Sequence, residues 1–157
     1  PERFERAAEL VGRSGLKLVR RSAREAMAAD ASVLLGDTMG ELPAFLAAAN
    51  AAFIGGSLVD VGGHNPLEAS AVAVPVATGP RVFNFAAIVE LLVSEDAAVI
   101  VRDASELGAF MTRWLQDPEE RTRVGENGRR VVEQNRGALG RLTALIEPWL
   151  PRADPTP

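Results

Sequence analysis

The sequence predicts an α/β fold, a parallel sheet wound on both faces by helices in the Rossmann-like manner. Two observations carry that expectation. Short apolar runs recur roughly every 20 residues with helix-periodic stretches between them, the pattern of βαβ units. Runs such as Ala52-Phe53-Ile54 and Ala98-Val99-Ile100-Val101 have almost no polar alternation, as expected of strands covered on both sides. Right-handed crossovers between such strands then place helices on both faces.

The elements follow in order. Residues 2–11 read as a helix ended by Gly12 and Gly15. Residues 16–19 form a short β-like run, 31–35 a clearer strand, and 43–49 a helix. Residues 51–54 are the next strand, cut by Gly55-Gly56, and 66–73 the helix after it. A strand at 74–77, a helix at 85–93 and a strand at 98–101 continue the alternation. Helices over 105–115 and along a stretch around 119–146 complete it, so 1–150 reads as one domain and PRADPTP (151–157) as a frayed tail.

Composition narrows the chemistry. The 157 residues, 47% hydrophobic and 24% charged, fit a soluble globular domain. A net charge of −4 implies no general attraction to nucleic acid. With no cysteine a thiolate metal site is excluded, and with one histidine and no tyrosine a zinc cluster or a Ser-His-Asp triad has almost nothing to be built from. No run reaches the roughly 20 apolar residues of a membrane-spanning helix; the stretch 44–56 is broken by Asn50 and glycines.

In open α/β sheets, ligands sit beyond the carboxyl ends of the strands. Two such loops stand out. In Gly36-Asp37-Thr38-Met39-Gly40-Glu41-Leu42-Pro43, Thr38 and Glu41 have capping-box spacing, yet Pro43 suits a helix opening near itself. Met39, Gly40 and Glu41 are then exposed loop backbone, and capping and ligand contact both remain open. The second loop runs from Gly55 to Glu68. Two glycine pairs flank Ser57 to Val61, and Asn65-Pro66-Leu67-Glu68 opens a helix with Asn65 as N-cap, Pro66 at its first position and Glu68 at its third. Free N–H groups and the dipole end of such a helix suit a phosphate. Without G-K-[ST], triphosphate hydrolysis is not indicated. His64 reads as structural or as a reach toward an anion, Glu68 as a cap or as an acceptor for two ribose hydroxyls.

Less weight falls elsewhere. Arg81, in a third strand-end loop, reads as a phosphate partner or a solvated cation. Arg20, Arg21 and Arg24 read as surface, Trp114 and Trp149 as core, and 119–130 as a solvated helical face.

GDTMGEL, AFIGGSLVDVGGHNPLEASA and PVATGPRVFNF, in this order and spacing, resemble the nucleotide-binding half of bacterial 3-deoxy-D-manno-octulosonic acid (Kdo) transferases. The opening PERF is similar to the end of that family's RHPERF segment. The resemblance implies the C-terminal Rossmann-like domain of a two-domain GT-B glycosyltransferase. Such an enzyme transfers Kdo from CMP-Kdo to a lipid A precursor, with inversion and without a metal or other cofactor. It further implies CMP contacts at Met39, Gly40, Glu41, Asn65, Pro66, Leu67 and Glu68. Gly56, Ser57, Gly63 and His64 would line the cleft, Glu68 would hold the ribose, and the helix end at Asn65 would stabilise the phosphate charge.

The catalytic base, the lipid A acceptor site and the membrane-facing surface are expected from an N-terminal domain outside this chain, so no catalytic residue is assigned here. The expected setting is the cytoplasmic face of the bacterial inner membrane, with the fragment itself soluble and no nucleic-acid partner. Three positions depart from the family pattern: Asn50 for Asp, Ala73 for Gly and Arg81 for His. Two other readings remain, a UDP-sugar transferase or 2-epimerase of the same architecture, and a non-catalytic nucleotide-binding module.

Overall fold

The computed structural model describes residues 3–149, so the tail expected at 151–157 lies outside the described residues. The chain divides into two compact units, residues 1–48 and 49–157.

In the first unit, α1 (Phe4–Arg13) precedes β1 (Leu18–Arg20), a 3-10 turn (Arg21–Ala23), β2 (Val33–Leu35) and α2 (Leu42–Ala47). β1 and β2 pair in parallel, with Arg20 opposite Leu35, so the residues after each strand emerge side by side. α2 opens at Leu42 with Glu41 as its N-cap and Pro43 in its first turn, where the missing N–H costs nothing. None of the described apolar side chains of this unit is fully buried; Leu10, Leu16, Met27 and Leu34 are exposed.

The second unit holds β3 (Ala52–Ile54), α3 (Leu67–Ser70), β4 (Val76–Thr78), α4 (Ala86–Ser94), β5 (Ala98–Ile100), α5 (Ala104–Gln116), α6 (Pro118–Asn135) and α7 (Ala138–Ile146), then a 3-10 turn at Glu147–Trp149. Its three strands are parallel in the order β3-β4-β5. Strands and helices therefore alternate as expected, in parallel sheets flanked by helices. The expected two-sided cover holds for β4, which is buried throughout, whereas β3 is half-buried and Ile100 of β5 is exposed.

Buried residues Ala77, Val101, Trp114 and Val124 form a core cluster against Phe53, Leu107, Phe110 and Met111. Phe110 and Trp114 pack with ring centroids 6.0 Å apart. Asp103 and Asp117 cap α5 and α6, each carboxylate accepting the N–H three residues on, from Glu106 and Glu120, at 2.9 Å.

Three expectations need correction. The stretch around 119–146 is two helices, parted at Arg136-Gly137, where Gly137 takes φ 82°. The helix expected over 66–73 is the single turn of α3, and Ala73 beyond it is left-handed at φ 58°. Trp149 is not core: it is 85% exposed, while Trp114 is wholly buried, because helical spacing shows which residues share a face and not whether anything faces them.

Candidate functional site

Both loops singled out from the sequence follow the carboxyl ends of strands, 36–41 after β2 in the first unit and 55–66 after β3 in the second.

In the first unit, a pocket of about 420 Å³ is lined by Arg21, Ser22, Arg24, Thr38, Met39 and Glu41. Met39 is 79% exposed, and Gly40 turns the chain with φ 79°. The Glu41 carboxylate is engaged on both oxygens: Oε1 accepts from Arg21 Nη2 at 2.7 Å, and Oε2 accepts from the Thr38 hydroxyl. Those two donors, Thr38 first, hold its carboxyl below the usual range. The capping-box spacing of Thr38 and Glu41 thus yields a side-chain pair, not a cap on α2.

Asp37 is bound by the neighbouring turn. Its carboxylate accepts from the Ser22 hydroxyl at 2.7 Å and the Ser22 N–H at 2.8 Å, which lower its pKa, with Arg20 at 3.8 Å. Arg20 also grips Glu5 through two bonds of 2.7 and 2.6 Å. Arg21 and Arg24 of the cluster expected to be surface are exposed and also line the pocket, whereas Arg20 does not. The guanidinium of Arg24 makes no hydrogen bond or ion pair among the described residues, though its charge also acts on Glu41. Applying the strand-end rule to β1 as well as β2 would have found these residues.

In the second unit, Ser57 is fully buried. Its hydroxyl donates to the Ile54 carbonyl at 2.5 Å and accepts from the Gly79 N–H at 2.7 Å, while its carbonyl accepts from the Arg81 N–H at 2.9 Å. Ser57 thereby joins the ends of β3 and β4. The loop continues close against residues 81–84: a Cβ added at Gly62 would lie 2.4 Å from Asn84 Nδ2, and one at Gly63 3.4 Å from Val82 Cγ1. The Gly63 N–H closes the loop on the Gly56 carbonyl at 3.2 Å. His64 is exposed, its Nε2 within 3.6 Å of where a Cβ on Gly56 would stand. Arg81 pairs with Asp60 at 3.3 Å, both well exposed, a pairing worth little in water.

Asn65 Oδ1 accepts the Leu67 N–H at 3.1 Å in a turn ahead of the helix, but α3 starts one residue later than expected: the buried Pro66 is its N-cap, Leu67 its first position and Glu68 its second. The single turn of α3 aligns too few peptide units for a full helix-end charge, which reduces the dipole expected at Asn65. Glu68 is exposed and has no hydrogen-bond or ion-pair partner among the described residues. The reciprocal capping bond back to Asn65 is absent, which leaves both carboxylate oxygens open to a ligand.

Among the described residues, no three of His, Cys, Asp and Glu are grouped so as to hold a metal ion. No described helix is long and apolar enough to cross a membrane.

A family model described as glycosyl transferases group 1 matches residues 7–131. The 3-deoxy-D-manno-octulosonic acid transferase of Haemophilus influenzae is 41% identical over 97% of this chain and 36% of its own length. That of Bordetella pertussis is 36% identical over 96% of this chain and 35% of its own length. The chain thus spans about a third of the length of these curated relatives. A solved structure, the C-terminal CMP-Kdo binding domain of WaaA from Acinetobacter baumannii, is similar at 36% identity and a TM-score of 0.80. The match covers 84% of this chain and 69% of that one.

Proposed function

The chain belongs to the glycosyl transferases group 1 family, and from that premise we propose that it is the donor-binding part of an inverting Kdo transferase. In this reading the whole enzyme moves Kdo from CMP-Kdo to a lipid A precursor during lipopolysaccharide assembly, at the cytoplasmic face of the bacterial inner membrane. The observation that carries it is the likeness to the Acinetobacter domain, 36% identical with a TM-score of 0.80 and described as binding CMP-Kdo.

The residues present suit the nucleotide end of that donor. In the first unit, the contacts are Met39, Gly40 and Glu41. Because the Glu41 carboxylate is engaged by Arg21 and Thr38, its segment meets the ligand through main chain and the exposed Met39 side chain. In the second unit, Asn65, Pro66, Leu67 and Glu68 supply the contacts, and Glu68 accepts from the ribose hydroxyls with its unpartnered carboxylate. Gly56, Ser57, Gly63 and His64 shape the loop ahead of them.

In the transfer, the acceptor hydroxyl attacks the anomeric carbon as the bond to the CMP phosphate breaks. A base must take the hydroxyl proton, and the leaving phosphate must be stabilised as its charge grows. No residue of this chain is assigned the base, and the reading gives the transfer no metal or other cofactor. Acceptor and membrane contacts belong to the remainder of the longer protein.

Calorimetric titration of the chain with CMP, UMP and UDP tests the proposal. Selective binding of CMP is the expected result. Binding of UMP or UDP in its place would overturn it in favour of a UDP-sugar enzyme.

A further inference from the structure

A turn that meets a ligand through its main chain recognises it only if that main chain is held still. The turn at Met39-Gly40 sits between Thr38 and Glu41, whose side chains are bonded to each other. Glu41 is in turn held from outside its own segment, by Arg21 at 2.7 Å. Arg21 opens the 3-10 turn after β1, and that turn is itself fixed by Ser22 on Asp37, at 2.8 Å through N–H and 2.7 Å through the hydroxyl. Two carboxylates therefore tie the chain leaving β1 to the chain leaving β2. The pocket beside Met39 is walled by the residues that make the tie.

We propose that Arg21 is a positioning residue for nucleotide binding: through Glu41 it holds the Met39-Gly40 turn in the conformation that receives the nucleotide. The proposal rests on the reading of 39–41 as nucleotide contacts given above. It differs from a simple attraction between Arg21 and an anionic ligand, and the difference is measurable. An attractive cation works better once the neighbouring Glu41 charge is removed. A clamp works worse, because Arg21 then has nothing to hold.

The test uses this chain, with CMP titrated calorimetrically into wild type, Arg21→Ala, Arg21→Lys, Glu41→Ala and the double variant, folding being checked by circular dichroism. Loss of a charged hydrogen bond sets the scale, so Arg21→Ala and Glu41→Ala should each weaken CMP binding about tenfold. The double variant should bind no worse than the weaker single one, since both break the same link. A single Nη2–Oε1 bond is within reach of an ammonium group, so Arg21→Lys should recover most of the affinity. Should Arg21→Ala fail to fold, Arg21→Lys against Arg21→Gln gives the same comparison.

Wild-type affinity in a folded Arg21→Ala, tighter binding in Glu41→Ala, or losses that multiply in the double variant would each overturn the clamp. Backbone order parameters from NMR relaxation at Met39 and Gly40 without nucleotide give an independent reading and should fall in Arg21→Ala. Unchanged order parameters overturn the clamp even if the chain binds CMP. Lowered order parameters in a chain that ignores CMP overturn the nucleotide reading and leave the tie from Arg21 to the turn standing.

Discussion

The Ser57 hydroxyl accepts a hydrogen bond from the Gly79 N–H at 2.7 Å and donates one to the Ile54 carbonyl at 2.5 Å, fastening together the ends of two adjacent parallel strands. Both bonds are made without water, since Ser57 is fully buried and Gly79 is buried with it. A Cβ on Gly79 would stand 2.3 Å from the Ser57 carbonyl oxygen, so the close approach needs glycine on one side and a small hydroxyl on the other.

Ser57→Ala should therefore destabilise the chain by about 1–3 kcal/mol, the cost of leaving a buried donor and acceptor unpaired. Urea denaturation at neutral pH measures it. A change within error would mean that the two backbone groups find other partners.

Glu68→Ala should leave stability unchanged, because the carboxylate has no partner among the described residues to lose. It should weaken CMP binding by roughly 1.5–3 kcal/mol, the range for a charged hydrogen bond. Thermal melts and calorimetry on one preparation separate the outcomes. A lowered melting temperature with full affinity would make Glu68 a structural residue.

Ala73→Gly should stabilise. Ala73 sits at φ 58°, where a Cβ costs roughly 1–2 kcal/mol, and glycine returns roughly 0.4–1 of that through unfolded-state freedom. The net expectation is a gain of about 0.5–1 kcal/mol. The reverse exchange nearby should do harm. A Cβ at Gly125 of α6 would lie 2.0 Å from the Ala73 carbonyl oxygen, so Gly125→Ala forces main chain apart and should cost roughly 1–3 kcal/mol.

Acid should loosen the first unit. Asp37 is held below its usual range chiefly by the Ser22 hydroxyl and N–H, and Glu41 chiefly by Thr38 and then Arg21. A carboxyl whose pKa is lower folded than unfolded adds stability above its unfolded value, near pH 4, and loses it as the pH falls through the folded value. Urea midpoints measured from neutral pH downward should fall below about pH 4, and Ser22→Ala should make that fall shallower. An identical acid limb in the variant would exclude Asp37 as its source.

The two tryptophans should separate spectroscopically. Trp114 is wholly buried and Trp149 is 85% exposed, so Trp149→Phe should remove the red-shifted, acrylamide-quenchable emission and leave a protected band. Protection of both in the wild type would mean that Trp149 is covered in solution.

Much of this architecture was legible in the sequence, for physical reasons that can be named. Ala52-Phe53-Ile54 and the run 74–77 announce strands because uninterrupted apolar runs between turn residues have few other uses, though the second strand forms at Val76–Thr78. Asn65-Pro66 announces a helix entry because the ring pre-sets φ, and α3 does open there, but one residue late, with Pro66 and not Asn65 as its N-cap. The link from Arg21 to Glu41 was hidden, since the two lie 20 residues apart and only the β1–β2 register brings the chain after each strand together. The break between α6 and α7 rests on one glycine within helix-periodic sequence. Periodicity also gave no warning that Trp149 has nothing opposite it.

The wholly buried apolar side chains described all come from Pro66 onward, and the first unit contributes none. Order there is held by polar links that water competes for, so it should melt first and most cheaply. A mononucleotide arriving at Met39 would meet a turn already held by Thr38, Glu41 and Arg21, but on a unit that opens cheaply and that binding must keep closed. Part of the intrinsic strength of the contact would then be consumed in tightening the protein, and the apparent dissociation constant would understate how well the groups fit.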